Sequence, residues 1–234
     1  MSNQVIAVIP AAGLGTRMGS ARSKQFIDLC GKPMLAVTLE QFQKCRLVAG
    51  IVVVVSEDSI DYCTREIVKR YELTKVAQVA AGGKSRQESV RNGIEVVSNS
   101  TKKIVIHDAA RPLVTIELIE RIIKESKNHR GVVPGMPVKD TVKEIDNRGQ
   151  VVKTVDRQTL WTIQTPQIFR YEDIRLAHKK AMEEDWKGIT DDASLIEKLN
   201  IPVTVIPGEG TNIKVTTGED LELARLLLRA SREP

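Results

Sequence analysis

Between Val5 and Lys24 the chain runs from an apolar strand into Pro10-Ala11-Ala12-Gly13-Leu14-Gly15-Thr16-Arg17-Met18 and then to Lys24. Gly13 and Gly15 carry no side chain to hold a ligand away and can take positive φ, so backbone N–H groups there can close on a phosphate. Arg17 and Lys24 add positive charge at short range. These residue types make an anion cradle with cations beside it. The alternative is a tight strand-to-helix turn with cations on its surface.

Two familiar phosphate loops do not match the spacing. A Walker loop ends in Gly-Lys-Ser/Thr, whereas Gly19 is followed by Ser20 and the Ser23-Lys24 pair stands in the wrong order. A dinucleotide fingerprint needs its third glycine three residues after the second, and that position is Met18.

Ligands of open α/β sheets bind beyond the carboxyl ends of the strands, and three other strand ends carry suitable residues. Gly82-Gly83-Lys84-Ser85-Arg86-Gln87-Glu88-Ser89 brings a double glycine and hydroxyls to a helix start, a place for a base, ribose or phosphate or else a plain turn. His107-Asp108-Ala109-Ala110-Arg111-Pro112 sets a carboxylate and a guanidinium three residues apart, either a Mg²⁺ ligand beside an anion clamp or a structural ion pair. His107 itself reads as a packed residue, since no second His or Cys stands at metal-ligand spacing. In Asn212-Ile213-Lys214-Val215-Thr216, read as a strand, a lone Lys214 is costly among apolar neighbours unless it faces a phosphate. Thr141 and Arg157, with Thr165 and Thr190, are further candidates for holding a second anion.

Nucleophilic hydrolysis is not indicated. There is no G-x-S-x-G elbow, no Ser beside a suitable His, and no carboxylate pair at glycosidase spacing. Glycines, Lys, Arg and one Asp are the equipment of phosphoryl or nucleotidyl transfer, in which the protein positions groups and neutralises charge.

The elements that must position these residues alternate along the chain. Short runs rich in Val and Ile predict strands at Val5–Ile9, Ile51–Val55, Val76–Ala80, Ile104–His107, Val132–Val138 and Val203–Ile206. Helix-period segments predict helices over 35–44, 59–71, 86–98, 116–127, 171–184, 191–199 and 219–230, the last capped by Thr217 with Asp220. The expected fold is α/β, a mostly parallel sheet with helices on both faces. Thr141–Ile145, the turn Asp146–Gly149 and Val151–Val155 break the alternation as a β-hairpin. An isolated two-stranded ribbon is barely stable, so the expectation is a single domain over 1–234 with a dimerisation arm at 138–158; the alternative is a lid over the site.

Composition narrows the ligand. Of 234 residues only 3% are aromatic, too few for a base-stacking nucleic-acid platform, so no nucleic-acid partner is expected. The net charge of +5 then suits small acidic substrates or serves solubility alone. Cys30, Cys45 and Cys63 form no CxxC motif and read as inert thiols of a reducing compartment. No apolar run approaches the ~18 residues of a membrane span, and the N-terminal stretch lacks the basic region of a secretory signal. A cytoplasmic location with no membrane partner is expected.

Taken in order, the 10–18 loop with Lys24-Gln25, His107–Pro112, Asp140-Thr141, Thr154-Val155-Asp156-Arg157, Gln164-Thr165-Pro166-Gln167, Thr190-Asp191 and Asn212–Thr216 resemble the 2-C-methyl-D-erythritol 4-phosphate cytidylyltransferase family over nearly the whole chain. The resemblance implies a Rossmann-like nucleotidyltransferase fold, a Mg²⁺-dependent reaction in non-mevalonate isoprenoid synthesis, and a homodimer with interlocked arms. It implies that Ala11, Ala12, Gly13, Gly15, Gly83 and Ser89 hold CTP, with Asp108 near the nucleotide and the metal. Arg17 and Lys24 would be the transition-state cations. Arg111, Thr141, Arg157, Thr165, Thr190 and Lys214 would hold methylerythritol phosphate, Thr141 and Arg157 coming from the partner's arm. Lys84 departs from the Asp that some members use to contact the nucleotide, and Ser85 and Gln87 receive no role. The rival readings are the sister ribitol-5-phosphate cytidylyltransferases, a non-catalytic nucleotide-binding homologue and, against the glycine spacing, an NAD-dependent oxidoreductase.

Overall fold

A computed structural model describes residues 5–13 and 24–231. Its centre is an eight-stranded sheet ordered β10-β7-β11-β6-β1-β4-β5, with β12 on the other edge of β7. The strands are β1 (Val5–Pro10), β4 (Gly50–Val55), β5 (Val76–Ala81), β6 (Lys103–Ile106), β7 (Gly131–Pro137), β10 (Trp161–Ile163), β11 (Gln167–Arg170) and β12 (Val203–Pro207). A two-residue pair, β2 (Asp28–Leu29) with β3 (Lys32–Pro33), and a hairpin, β8 (Val142–Ile145) with β9 (Val151–Val155), stand apart from it.

Side chains alternate across the central strands, as the two-residue period of a strand requires. Ala7, Ile9, Ile51 and Val53 face one layer, formed by α1 (Met34–Lys44), α4 (Ile116–Glu125) and the turns of α2 (Ile60–Tyr62) that widen into a π-helix at Cys63–Lys69. Val8, Val52, Val54 and Ile106 face the other, formed by α3 (Arg86–Glu95), α5 (Tyr171–Glu183) and α6 (Asp192–Lys198). Strands buried on both faces explain the unbroken Val/Ile runs. A third cluster seats α7 (Gly218–Ala230) on Leu29, Met34 and Val215. Thr217 and Asp220 form the capping box that starts it.

Gly93 sets the height of α3 above the sheet: a Cβ there would come within 2.6 Å of Val8 and 2.7 Å of Val54. Only glycine allows that approach.

The sheet is mostly parallel, as expected, with an antiparallel part; two other expectations need correction. The sheet is parallel through β5, β4, β1 and β6, but β11 runs antiparallel to both β6 and β7, and β10 antiparallel to β7. Strands of three and four residues containing Gln and Thr gave no apolar run to read. Residues 212–216 form no strand: Val215 N–H donates to Ala110 O at 2.8 Å without a ladder around it, and Lys214 is exposed. The helix over 59–71 is split between 3-10, α and π turns.

The hairpin forms as expected. Asp146 Oδ1 accepts from the N–H groups of Arg148 and Gln150, and Gly149 takes φ 77°, which closes the turn. Ile145, Val151 and Val152 are each about 60% exposed (61, 59 and 59%), so among the described residues nothing packs over this apolar part of the ribbon. Among the described residues no helix is long and apolar enough to cross a membrane.

Candidate active site

The carboxyl ends of the parallel strands β1, β4, β5 and β6 open into one cleft of about 600 Å³. Ala11, Ala12 and Gly13 line it below β1, Ser56 below β4, Gly83 to Arg86 below β5, and Asp108 to Ala110 below β6, with Lys24, Gln25 and Lys214 across from them. The ladder carries on past the strands, with Ala11 N–H donating to Val54 O at 2.6 Å and Gly82 N–H to Val55 O at 2.7 Å. A Cβ on Gly82 would lie 2.4 Å from that of Ala12, so glycine lets the two loops touch. By contrast, among the described residues a Cβ on Gly13 would meet nothing within 4 Å.

Loop 82–89 is shaped from within. Ser89 Oγ, buried, accepts from Gly83 N–H at 3.1 Å and donates to Ser85 O at 2.9 Å. Ser85 caps α3 by accepting from Glu88 N–H, and Glu88 in turn accepts from Lys84 N–H at 2.8 Å. Caps of this kind hold the first turn of a helix in place, so the serines fix the loop from below.

Asp108 is the acidic residue among those that line the cleft. Its Oδ1 lies 2.8 Å from Arg86 Nε and its Oδ2 2.7 Å from Lys214 Nζ. Burial pushes the carboxyl up, but Arg86 and Lys214 outweigh it and hold Asp108 well below the usual carboxylate range. It is ionised at any working pH. Arg86 also reaches Asp192, Nη1 to Oδ2 at 2.8 Å, where burial is again outweighed by the guanidinium.

A chain of neutral hydrogen bonds supports Asp108 from beneath. Asp108 N–H donates to Thr165 Oγ1 at 3.1 Å, and Thr165 Oγ1 lies 3.0 Å from His107 Nδ1. His107 Nε2 lies 3.0 Å from Arg111 O. A carbonyl only accepts, so Nε2 carries the proton, Nδ1 accepts, and the Thr165 hydroxyl donates to it. Burial pushes His107 down to about 4, in keeping with a neutral ring. Arg111 Nη1 donates to Asn212 O at 2.7 Å, and Asn212 Nδ2 to Thr165 O at 2.8 Å, which closes the network.

The expected residues are distributed as follows in space. Ala11, Ala12, Gly13, Gly83, Ser89, Lys24, Asp108 and Lys214 all line the cleft. Gly15 and Arg17 lie outside the described residues. Thr165 is 4% exposed and sits behind Asp108, its hydroxyl engaged twice. Arg111 is held beside it. Thr141, Arg157 and Thr190 are exposed and do not line the cleft; Arg157 bonds the carbonyl of Lys139 at the base of the arm. Sequence reasoning gave no role to Arg86 and Asp192. Their signal was position: each is the first residue of its helix, after the caps Ser85 and Asp191.

Comparison with known proteins places the whole chain beside one family. The family model described as "IspD: 2-C-methyl-D-erythritol 4-phosphate cytidylyltransferase" matches residues 5–230. A 2-C-methyl-D-erythritol 4-phosphate cytidylyltransferase of Syntrophus aciditrophicus is 42% identical over 229 residues, spanning 98% of this chain and 97% of that one. One from Geobacter metallireducens is 42% identical over 228 residues, spanning 96% and 97%. Among solved structures, the 4-diphosphocytidyl-2C-methyl-D-erythritol synthase of Anaerococcus prevotii superposes with a TM-score of 0.85 at 28% identity, covering 98% of this chain and all of that one (100%).

Proposed function

The chain belongs to the 2-C-methyl-D-erythritol 4-phosphate cytidylyltransferase family, and we propose that its cleft residues divide that reaction between nucleotide and sugar phosphate. The enzyme transfers the cytidylyl group of CTP to 2-C-methyl-D-erythritol 4-phosphate in isoprenoid biosynthesis, forming 4-diphosphocytidyl-2-C-methyl-D-erythritol and pyrophosphate. An oxygen of the methylerythritol phosphate attacks the α-phosphorus in line, the bond from that phosphorus to the bridging oxygen breaks, and pyrophosphate leaves. No general base is needed, because a phosphate monoester with its second pKa near 6 is largely ionised at neutral pH.

The observation that carries this reading is the meeting of Lys24, Lys214 and Asp108 over a floor of Ala11, Ala12 and Gly13 in one cleft. Small residues admit the triphosphate to backbone N–H groups. Lys24, with Arg17, meets charge that grows on the α-phosphoryl oxygens, and interactions stronger in the transition state than in the ground state accelerate the step. Lys214 and Arg111 hold the sugar phosphate. Thr165 acts from behind, by fixing Asp108 and Arg111, and Ser89 by shaping the nucleotide loop.

Among the described residues there is no group of three or more His, Cys, Asp or Glu that could hold a metal by itself. A single cleft carboxylate nevertheless fits Mg²⁺, which takes most of its ligands from phosphates and water. Asp108 would hold it, and the ion supplies positive charge to the triphosphate. Thr141, Arg157 and Thr190 complete the sugar site from the arm and its surroundings, with Thr141 and Arg157 offered by the partner of a homodimer. The exposed Ile145, Val151 and Val152 are the surface such a partner would cover. Three unpaired thiols, Cys30, Cys45 and Cys63, suit a cytoplasmic setting.

Pyrophosphate release from CTP, measured with methylerythritol phosphate and with ribitol 5-phosphate, tests the acceptor. Release with the first alone is expected; equal or greater release with ribitol 5-phosphate would assign the chain to the sister activity.

A further inference from the structure

The first residues of α3 and α6 face each other at the wall of the cleft, Arg86 lining it and Asp192 buried behind. Arg86 forks between two carboxylates, Nε on Asp108 and Nη1 on Asp192, both at 2.8 Å. The Asp192 side chain is 1% exposed, and its other oxygen faces His178 Nε2 at 3.3 Å without hydrogen-bond geometry. A buried ion network is a weak source of stability, since apolar residues of similar volume commonly replace one without loss. Its placement against a cleft carboxylate suggests another use.

We propose that Arg86 and Asp192 are positioning residues for Asp108: the fork, anchored on Asp192, fixes Oδ1 and turns Oδ2, which pairs with Lys214 Nζ at 2.7 Å, toward the cleft, where it meets the metal–nucleotide as the sugar phosphate takes up Lys214. The planar guanidinium makes this possible because its N–H groups point in fixed directions. With Asp192 present, one edge is committed there and only Nε reaches Asp108. Without it, both edges turn on Asp108, and a bidentate pair covers both carboxylate oxygens. Lysine at 86 has one point charge and cannot satisfy two acids in this geometry. Asp192 thus keeps Arg86 from competing with the metal.

The inference rests on the reading of Asp108 as the carboxylate beside the metal, and the test separates the two. Calorimetry measures the binding of the α,β-methylene analogue of CTP with and without Mg²⁺ to the wild-type protein and to Asp108→Asn, Asp192→Asn and Arg86→Lys. The readout is the gain in affinity that Mg²⁺ confers. Partners that orient a metal ligand typically matter 10–100-fold, so Asp192→Asn and Arg86→Lys should each cut that gain by about 10-fold while metal-free binding stays within about threefold. General damage to the site would weaken both bindings together and would overturn the proposal. If Asp108→Asn abolishes the gain and the other two leave it intact, the positioning role is wrong while Asp108 keeps its own. If Asp108→Asn retains the gain, the parent reading fails. Circular dichroism confirms folding, and Arg86→Lys, which keeps a cation in place, carries the test should Asp192→Asn not fold.

Discussion

Lys214 Nζ lies 2.7 Å from Asp108 Oδ2, which joins the cation assigned to the sugar phosphate directly to the carboxylate assigned to the nucleotide side. Substituting Lys214→Met removes a charge-assisted contact worth about 1.5–3 kcal/mol. The expected result is a fall of roughly 10–100-fold in kcat/KM for methylerythritol phosphate, with the KM for CTP changed far less. Steady-state kinetics with each substrate varied in turn checks this. An equal loss for both substrates would remove the assignment to the sugar phosphate.

His107 sets a pH dependence of stability. An unfolded histidine titrates near 6.5, and burial pushes this one down to about 4 in the folded protein. Between those values the unfolded chain binds a proton that the folded one does not. Stability from this group is therefore whole above about pH 6.5 and is lost as pH falls toward 4, by roughly 3 kcal/mol. Asp108 contributes below that window, because its depressed carboxyl costs stability only as pH falls under the ordinary carboxylate value near 3.9. Urea denaturation at stepped pH should show the slope between pH 6.5 and 4 in wild type and a shallower one in His107→Gln.

Lys24 lines the cleft at the start of the 3-10 turn Lys24–Phe26. Lys24→Ala is expected to lower kcat by ~10²-fold or more, as loss of an oxyanion donor does. Pre-steady-state and steady-state rates with saturating CTP measure it. A change confined to KM would make Lys24 a binding residue only.

The arm should govern assembly. Replacing Ile145 and Val152 by Glu places charge on the exposed apolar ribbon, and charge at the centre of an interface is unfavourable unless paired. Light scattering is expected to show a dimer for the wild type and a monomer for the double variant, whose activity falls because Thr141 and Arg157 no longer reach a partner's site. A dimer of unchanged mass would leave the arm without that role.

What the sequence disclosed follows from where each signal originates. Buried parallel strands must be apolar on both faces, so β1, β4 and β6 were readable as Val/Ile runs, and the Thr217–Asp220 capping box was readable as a local pattern. The glycine loop, Asp108 and Lys214 were found because ligands gather beyond strand ends. Arg86 and Asp192 were not, because a charged first residue of a helix looks like any solvated one until two helix starts 106 positions apart are brought together. Thr165 was read as a candidate for holding a second anion, and its burial was not legible because a hydroxyl in sequence carries no sign of it; the fold turns it inward, between Asp108 and His107. Strand β11 escaped because its four residues, Gln167–Arg170, lie antiparallel between β6 and β7, a tertiary placement with no local period.

The most direct test follows the label of the nucleotide. Purified protein is incubated with methylerythritol phosphate and CTP carrying radioactive phosphorus at the α or, separately, the γ position. Transfer to the α-phosphorus requires the α label to appear in the sugar nucleotide and the γ label in pyrophosphate, both only when methylerythritol phosphate is present. Appearance of the γ label on the sugar, or α-label release without it, would contradict cytidylyl transfer in this cleft.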